Sequence, residues 1–302
     1  MRNKIILISL LILPGLVFGQ VSSEREQKLT EQGLILDEQI RQAELKLQSQ
    51  REKSNLVSPA SYKRFRSGQW NVIQTPNSKI FYGTRGAKVA EEISARVEND
   101  RKKCLQNINC SIANWSIPLE VYVHDSAEQY ARVTKQGPGS PGHSQVGVDR
   151  GRITSRRIDL RYDGSDAGNA IFPHENVHVC IADRFNDKPL PRWADEGCAV
   201  LYEPSQKAAA HIENLRDKKL FPLKTLMTMP DYPPGPQWPI FYGESVAISS
   251  FLIQKKDFNH LLSFIEEAQN SGYDSALKKY YGLTFMDLEK QFKQWLDKEL
   301  KK

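Results

Sequence analysis

The sequence predicts an α+β fold in which a small mixed sheet precedes a largely helical C-terminal part. Strand-like runs, bounded by turn residues, lie upstream of residue 165, over 70–75, 79–83, 119–124 and 152–162. The second of these is followed by a helix with one apolar face, marked by Val89, Ala90, Ile93 and Val97. After residue 200 the periodicity is helical instead, over 207–218, 241–254, 257–268 and 285–300.

The composition indicates a soluble globule and excludes a nucleic-acid-binding protein. The chain has 302 residues, 39% of them hydrophobic and 26% charged, enough for one large domain or two small ones. The formal net charge is +6, a mild surplus, and the Lys and Arg residues are scattered along the chain. A nucleic-acid-binding surface would concentrate them on one face, so we expect no nucleic-acid partner.

Residues 1–19 have the pattern of a signal peptide. Arg2 and Lys4 form a basic start, residues 5–17 are apolar, and 17–19 offer small or neutral residues for cleavage before Gln20. The apolar run is too short for a membrane-spanning helix, although an uncleaved anchor is the alternative. We therefore expect export to the periplasm or the exterior, with no stable membrane insertion after cleavage. No pattern predicts an oligomeric state.

Residues 20–67 are predicted to form a helical arm or linker ahead of a domain at 68–302. The arm is rich in Glu, Gln, Lys and Arg. A heptad-like spacing runs through Leu29, Leu36, Ile40, Ala43 and Leu47. A short coiled coil, a single helix lying on the domain and a loosely ordered linker all fit this pattern.

One motif, HExxH at residues 174–178, points to metal chemistry. His174 and His178 are four residues apart, so on a helix they project from one face and can share one Zn²⁺. Glu175 between them can then take a proton from a metal-bound water. Glu196, in the segment WADEG, follows His178 by eighteen residues and is a candidate third ligand. The alternative is a surface helix with two solvated histidines, but the apolar residues around this motif predict a buried helix.

The residues from 173 to 200 resemble a known family. HExxH followed by WxDEG is similar to the gluzincins, zinc metallopeptidases whose third ligand is a glutamate. The longer stretch resembles the peptidase MA-like domains of exported bacterial proteins in the pattern PHExxHVxxADRFxDxPLPRWADEGxAV. The resemblance implies a zincin-like fold and a peptide or protein substrate. It also implies a Zn²⁺ held by His174, His178 and Glu196, with Glu175 as general base.

Two further expectations come from the resemblance. In gluzincins an edge strand beside the zinc helix pairs with an extended substrate, which implies that role for 152–162. Arg156, Arg157 and Arg161 on this strand would favour acidic substrates, or else blunt the exposed edge. The tyrosine or histidine that stabilises the oxyanion corresponds here to Tyr242, unless Tyr242 is a core aromatic.

Outside the motif, the sequence predicts a mobile loop and one disulfide. Residues 136–147 are rich in Gly, Pro and Ser, and His143 is expected there as a surface residue or a substrate contact. Cys104 and Cys110 are predicted to form a disulfide across a helix end. Cys180 and Cys198 are predicted to stay buried thiols, because helix geometry turns each away from the metal.

Three functions fit these observations. The first is an exported zinc metallopeptidase, an endopeptidase since the GxMEN motif of aminopeptidases is missing from the sequence. The second is a catalytically silent zinc-containing binding module of the cell envelope. The third is a structural envelope protein in which HExxH is accidental. Metal content separates the third from the others, and peptide turnover separates the first from the second.

Overall fold

The fold is α+β. The computed structural model describes residues 4–9, for which only the backbone is described, and 62–112, 114–137, 139–163 and 166–301. The strands are β1 (Lys4–Ser9), β2 (Lys63–Ser67), β3 (Trp70–Gln74), β4 (Ser78–Tyr82), β5 (Leu119–His124), β6 (Gly142–Asp149) and β7 (Arg152–Arg161).

The helices are concentrated in the second half of the chain. They are α1 (Ala87–Asn107), α2 (Ala127–Thr134), α3 (Phe172–Ile181), α4 (Arg192–Val200), α5 (Ser205–Glu213), α6 (Leu223–Thr228), α7 (Trp238–Lys255), α8 (Phe258–Ser271), α9 (Tyr273–Tyr281) and α10 (Phe285–Glu299). A π-helical turn (Ala167–Ile171) leads into α3, and a 3₁₀ turn (Gly235–Gln237) leads into α7. In the described residues, no helix is long and apolar enough to cross a bilayer.

The strands form one mixed sheet in the order β1-β6-β7-β5-β4-β3-β2. Strands β4, β5 and β7 run parallel, whereas β2–β3, β3–β4 and β6–β7 are antiparallel pairs. β1 pairs antiparallel with the outer edge of β6, from Lys4 opposite Val148 to Ser9 opposite His143. Without β1, the sheet has six strands, and β6 and β2 are its two edges.

The core lies between one face of this sheet and the helices. On β5, Leu119, Val121 and Val123 alternate with polar residues and are fully buried, as the period-two pattern predicts. Helices α1 and α3 both pack on this side, and every residue of α3 is buried. One apolar cluster continues from the sheet into the C-terminal helices, so the sheet and the helical part share a core.

Two arginines fix the end of α3. Arg156 on β7 donates to the carbonyl of Val179 at 3.2 Å and to the carboxylate of Asp183, and its guanidinium lies over Trp115. Arg184, just after α3, donates to Glu266 at 2.7 and 2.8 Å. Its remaining bonds reach Asn259, Ser263 and the carbonyl of Ile108. Arg184 therefore ties α3 to α8 and to the end of α1.

The prediction that the strand at 152–162 is an edge strand is wrong. The segment 136–147, predicted to be a mobile loop, contains most of strand β6. This strand covers the side of β7 that would have been the edge. The sequence gives little sign of β6, since its first buried residues are Gly142, His143 and Ser144, and Val146 and Val148 are its two buried side chains of the hydrophobic core. His143 is 3% exposed and pairs in register with Asp159, so it is not a surface residue.

The described residues include only part of the N-terminal region for which the sequence predicted a signal peptide, an arm and a domain boundary. β2 is a regular sheet strand, so residues 63–67, assigned to the arm by the sequence, belong to the sheet. Residues 10–61 lie outside the described residues, and the predicted cleavage site and the predicted arm up to residue 61 fall there. Lys4–Ser9, within the predicted signal peptide, are placed in β1.

The cysteine prediction is half right. All four cysteines are free thiols, so the predicted Cys104–Cys110 disulfide is wrong. Cys104 faces the core from α1 and neighbours Cys180, whereas Cys110 lies beyond the helix end, where its N–H donates to the carbonyl of Leu105. Cys180 and Cys198 are fully buried thiols as expected, and burial raises the pKa of both.

Candidate metal centre

Helices α3 and α4 bring three potential metal ligands together. His174 and His178 lie on one face of α3, with their ring centroids 5.0 Å apart. Oε2 of Glu196 on α4 is 3.4 Å from Nε2 of His174 and 4.0 Å from Nε2 of His178. The ligand atoms of the three residues all lie within 4.8 Å of one another, and all three residues are buried.

Local sequence explains how each helix presents its ligands. Pro173 occupies the first turn of α3, where its missing N–H costs no hydrogen bond, and His174 follows it in the same turn. Gly197 follows Glu196 and allows α4 to approach α7 closely, since a Cβ there would overlap the carbonyl of Ser245. The sequence thus determines how closely α4 packs against α7, in addition to supplying the ligands.

A second carboxylate orients each imidazole. Nδ1 of His174 lies 2.7 Å from Oε1 of Glu203, and Nδ1 of His178 lies 2.7 Å from Oδ1 of Asp195. When these Nδ1 atoms carry the protons, both Nε2 atoms keep a free lone pair that faces Glu196. A histidine that binds a metal usually donates its other ring N–H to a carboxylate, a carbonyl or a water. This hydrogen bond fixes the tautomer and the orientation of the ring.

Several of the buried polar atoms that have no hydrogen-bond partner lie at the predicted site. They include Nε2 of both histidines, Oε2 of Glu196 and both carboxylate oxygens of Glu175. Burying polar atoms without partners is costly, and native proteins normally avoid it. Two imidazole nitrogens and one carboxylate oxygen are the donor set of a three-ligand zinc site, so the residues fit a divalent cation.

The charges at this site depend on one another. Burial alone would lower the pKa of His174, but the nearby carboxylates of Glu196 and Glu203 raise it well above its ordinary value. For Glu175, burial raises the pKa of the carboxyl above its ordinary value, and the charges of His174 and His178 oppose this. A cation at the three ligands would take the place of these protons, so its binding is expected to release protons.

A tyrosine that the sequence analysis missed also bonds to the candidate third ligand. The phenol of Tyr232 donates a hydrogen bond to Oε1 of Glu196, leaving Oε2 directed at the histidines. Tyr232 lies in the proline-rich segment 229–237, and Arg192 lies 5.1 Å from its ring centroid. The only signal available was a lone tyrosine in a proline-rich segment, which gives no indication of where it packs.

Tyr242 lies at the edge of the same cluster. It is 7% exposed on α7. Burial raises the pKa of its phenol well above the ordinary value, and the nearby charges of Glu196 and Glu175 add to this, whereas a hydrogen bond with Tyr232 opposes it. Tyr242 therefore neighbours both the third candidate ligand and the candidate base.

The three arginines of β7 already have carboxylate partners within the protein. Arg156 is buried beside Asp183. Arg157 donates to both oxygens of Asp159, at 2.6 and 2.7 Å, and Arg161 donates to Asp163 at 3.1 and 3.2 Å. These ion pairs favour a structural role for the arginines over recognition of acidic substrates.

Comparison with models of protein families and with curated proteins finds no match for this chain. The site is therefore interpreted from its own geometry and donor set.

Proposed function

We propose that the protein is an exported zinc metallopeptidase of the gluzincin type, with a zincin-like fold. One observation carries the proposal. Three buried ligand atoms without hydrogen-bond partners converge, and the carboxylate of Glu175 lies beside them, also without a partner. His174, His178 and Glu196 would hold the Zn²⁺, as their two nitrogens and one oxygen suit this metal.

The chemistry divides between the metal and the side chains around it. When bound, the zinc would act as a Lewis acid that lowers the pKa of a coordinated water. Glu175 accepts a proton from the attacking water and returns it to the leaving amine. The phenol of Tyr242 donates a hydrogen bond to the oxyanion that develops on the scissile carbonyl.

The surrounding residues keep these groups in position. Asp195 and Glu203 fix the histidine tautomers through Nδ1, and Tyr232 fixes the carboxylate of Glu196 through Oε1. Preorganised groups of this kind stabilise a transition state without rearranging during the reaction. These contacts would hold the ligands in place before a substrate binds.

The sheet edge beside α3 supports a peptide as the substrate. Gly142 on β6 approaches Glu175 so closely that a Cβ there would lie 3.3 Å from Oε1. The outer edge of β6 can pair with an antiparallel strand, as it does with Lys4–Ser9. Once the signal peptide is removed, an extended substrate would take this position, bound through its backbone beside the base.

Turnover of a mixed peptide library tests the proposal. We expect the zinc-loaded protein to cleave internal peptide bonds, detected by mass spectrometry, and the chelator-treated protein to regain this activity when zinc is restored. Stoichiometric zinc without any cleavage would indicate a catalytically silent binding module instead. Absence of bound metal after zinc loading would refute the metal site itself.

A further inference from the structure

Strand β6 runs directly beside the candidate base. Gly142, at the start of β6, lies so close to the zinc helix that a Cβ there would overlap Cγ2 of Ile171 and lie 3.3 Å from Oε1 of Glu175. Helix α3 and strand β6 also pack against each other along their lengths. The side of β6 that carries Gly142 therefore faces the carboxylate of Glu175.

Ser144 lies on the same side of β6, because residues two apart on a strand point to the same face. Its partner across the sheet is Ile158 of β7, a fully buried residue of the core between the sheet and the helices. Ser144 is itself fully buried, and its Oγ has no hydrogen-bond partner among the described residues. A buried hydroxyl without a partner thus lies between β6 and α3.

The carboxylate of Glu175 lacks a hydrogen-bond donor in the described part of the chain. Glu175 is fully buried, and both of its carboxylate oxygens are without a partner there. Burial raises the pKa of this carboxyl, and the nearby hydroxyl of Ser144 is among the groups that oppose the shift. An unpaired carboxylate in the interior is costly, whereas a serine hydroxyl can rotate to a staggered position from which it donates.

A second hydroxyl near Glu175 already donates elsewhere. Burial raises the pKa of the Tyr130 phenol, and the charge of Glu175 adds to this, so the two groups are neighbours. The phenol oxygen of Tyr130 lies 2.8 Å from Oγ of Ser140, which itself donates to the carbonyl of Gly142 at 2.8 Å. The proton of Tyr130 is therefore directed at Ser140, and Ser144 remains as a hydroxyl donor for Glu175.

We propose that Ser144 is a positioning residue for the general base: its hydroxyl donates to one oxygen of the Glu175 carboxylate and leaves the other oxygen for the attacking water. The proposal rests on the proposed function and adds a residue to it. The hydrogen bond restricts the side-chain torsions of Glu175, so the second oxygen is held where it can take the proton. A misplacement of about 1 Å can lower the rate of a reaction by about 10²-fold.

Three substitutions at residue 144 test the hydroxyl by itself. Ser144→Ala removes it, whereas Ser144→Thr and Ser144→Val have the same shape and only the threonine keeps it. We expect Ser144→Ala and Ser144→Val to lower kcat by about 10²-fold with little change in KM or in zinc affinity, and Ser144→Thr to retain most of the wild-type kcat. A wild-type kcat in Ser144→Ala, or equal kcat in the Thr and Val variants, would overturn the inference.

The control for these kinetics is Ser78→Ala. Ser78 on β4 is also buried, and its Oγ likewise has no hydrogen-bond partner among the described residues. Its removal deletes the same group from another strand of the same sheet, so Ser78→Ala should have the kcat and KM of the wild type. A loss of kcat in Ser78→Ala equal to that in Ser144→Ala would show a general effect on the sheet and overturn the inference.

A double-mutant cycle tests the same contact without peptide cleavage. In the wild type, Ser144→Ala removes a donor from a buried carboxylate and should lower the urea midpoint of unfolding. In Glu175→Leu protein the hydroxyl has no acceptor, so Ser144→Ala should leave the midpoint unchanged or raise it. Equal shifts in both backgrounds would overturn the inference, whether or not peptides are cleaved. If no peptide is cleaved but the shifts differ in this way, the contact stands and the peptidase proposal fails.

Discussion

Nδ1 of His174 lies 2.7 Å from Oε1 of Glu203, a carboxylate seven residues beyond Glu196 in the sequence. Both side chains are buried, so the charge of Glu203 is directed at the imidazole rather than at solvent. The proton of His174 is thereby held on Nδ1, which leaves Nε2 as a lone-pair donor toward the site. Asp195 does the same for His178, so a metal would meet two oriented imidazoles.

Removal of Glu203 is expected to weaken metal binding. Partners of a metal-ligating histidine typically change affinity or activity by about 10–100-fold, so Glu203→Ala should raise the Kd for Zn²⁺ by that factor. Competition with a chromophoric chelator measures this Kd. The control is Glu213→Ala, at the exposed end of α5, which should bind Zn²⁺ as the wild type does. Equal affinities in the two variants would show that Glu203 does not support the metal site.

The two tyrosines are expected to differ in which step they affect. Tyr242→Phe should lower kcat by about 10²-fold or more with little change in KM, because its hydrogen bond forms in the transition state. Tyr232→Phe should instead weaken Zn²⁺ binding, because its phenol bonds to Glu196. Steady-state kinetics and zinc titration of both variants measure these effects. An unchanged kcat in Tyr242→Phe would make Tyr242 a core aromatic.

Gly197 is expected to tolerate no side chain. A Cβ there would overlap the backbone carbonyl of Ser245 and Oγ of Ser249, so Gly197→Ala must push α4 away from α7. We expect a loss of about 1–3 kcal/mol of unfolding free energy, together with weaker Zn²⁺ binding because Glu196 moves with the helix. Gly235→Ala is the control, since a Cβ at Gly235 meets no atom within 4 Å. Urea unfolding in which both variants match the wild type would contradict this packing.

Glu244 should make stability depend on pH. Burial raises the pKa of its carboxyl from 4.5 to about 8, although the N–H of Phe221 donates to it and opposes the shift. The folded protein therefore keeps a proton that the unfolded chain releases, so this carboxyl lowers the unfolding free energy as pH rises from about 4.5 to 8.

Glu244→Gln removes this titration and provides the measurement. Urea unfolding should show little difference between wild type and variant at pH 5. At pH 8 the variant should be more stable, by an amount on the order of 2–4 kcal/mol. The same stability difference at both pH values would show that Glu244 titrates normally in the folded protein.

The candidate site was predictable from sequence where its residues are close along the chain. His174, Glu175 and His178 share one helix, and Glu196 follows within a recognisable segment, so their types and spacing were informative. Tyr242 lies near this cluster, and its role at the oxyanion stays a prediction. Glu203 and Tyr232 were not predicted, because only the packing of α4 and the segment 229–237 brings them to the ligands.

The fold was predictable from the sequence where the spacing of apolar residues matches the buried face of a strand or helix. Strand β5 and the long C-terminal helices follow their apolar patterns, whereas β6 buries Gly142, His143 and Ser144, which resemble loop residues in composition. Because β6 was not predicted, β7 was wrongly predicted to be the edge of the sheet. The cysteine pairing failed because Cys104 is buried in the core beside Cys180, whereas Cys110 is only partly buried and follows Asn109, whose φ is 53°.

The Glu175→Gln variant tests the proposed peptidase mechanism most directly. The substitution keeps the shape of the side chain and removes its ability to accept a proton, and Glu175 is not one of the three metal ligands. We expect Glu175→Gln to bind one equivalent of zinc with wild-type affinity and to lose peptide cleavage by at least about 10²-fold in kcat. Cleavage by zinc-loaded Glu175→Gln at the wild-type rate would contradict the mechanism.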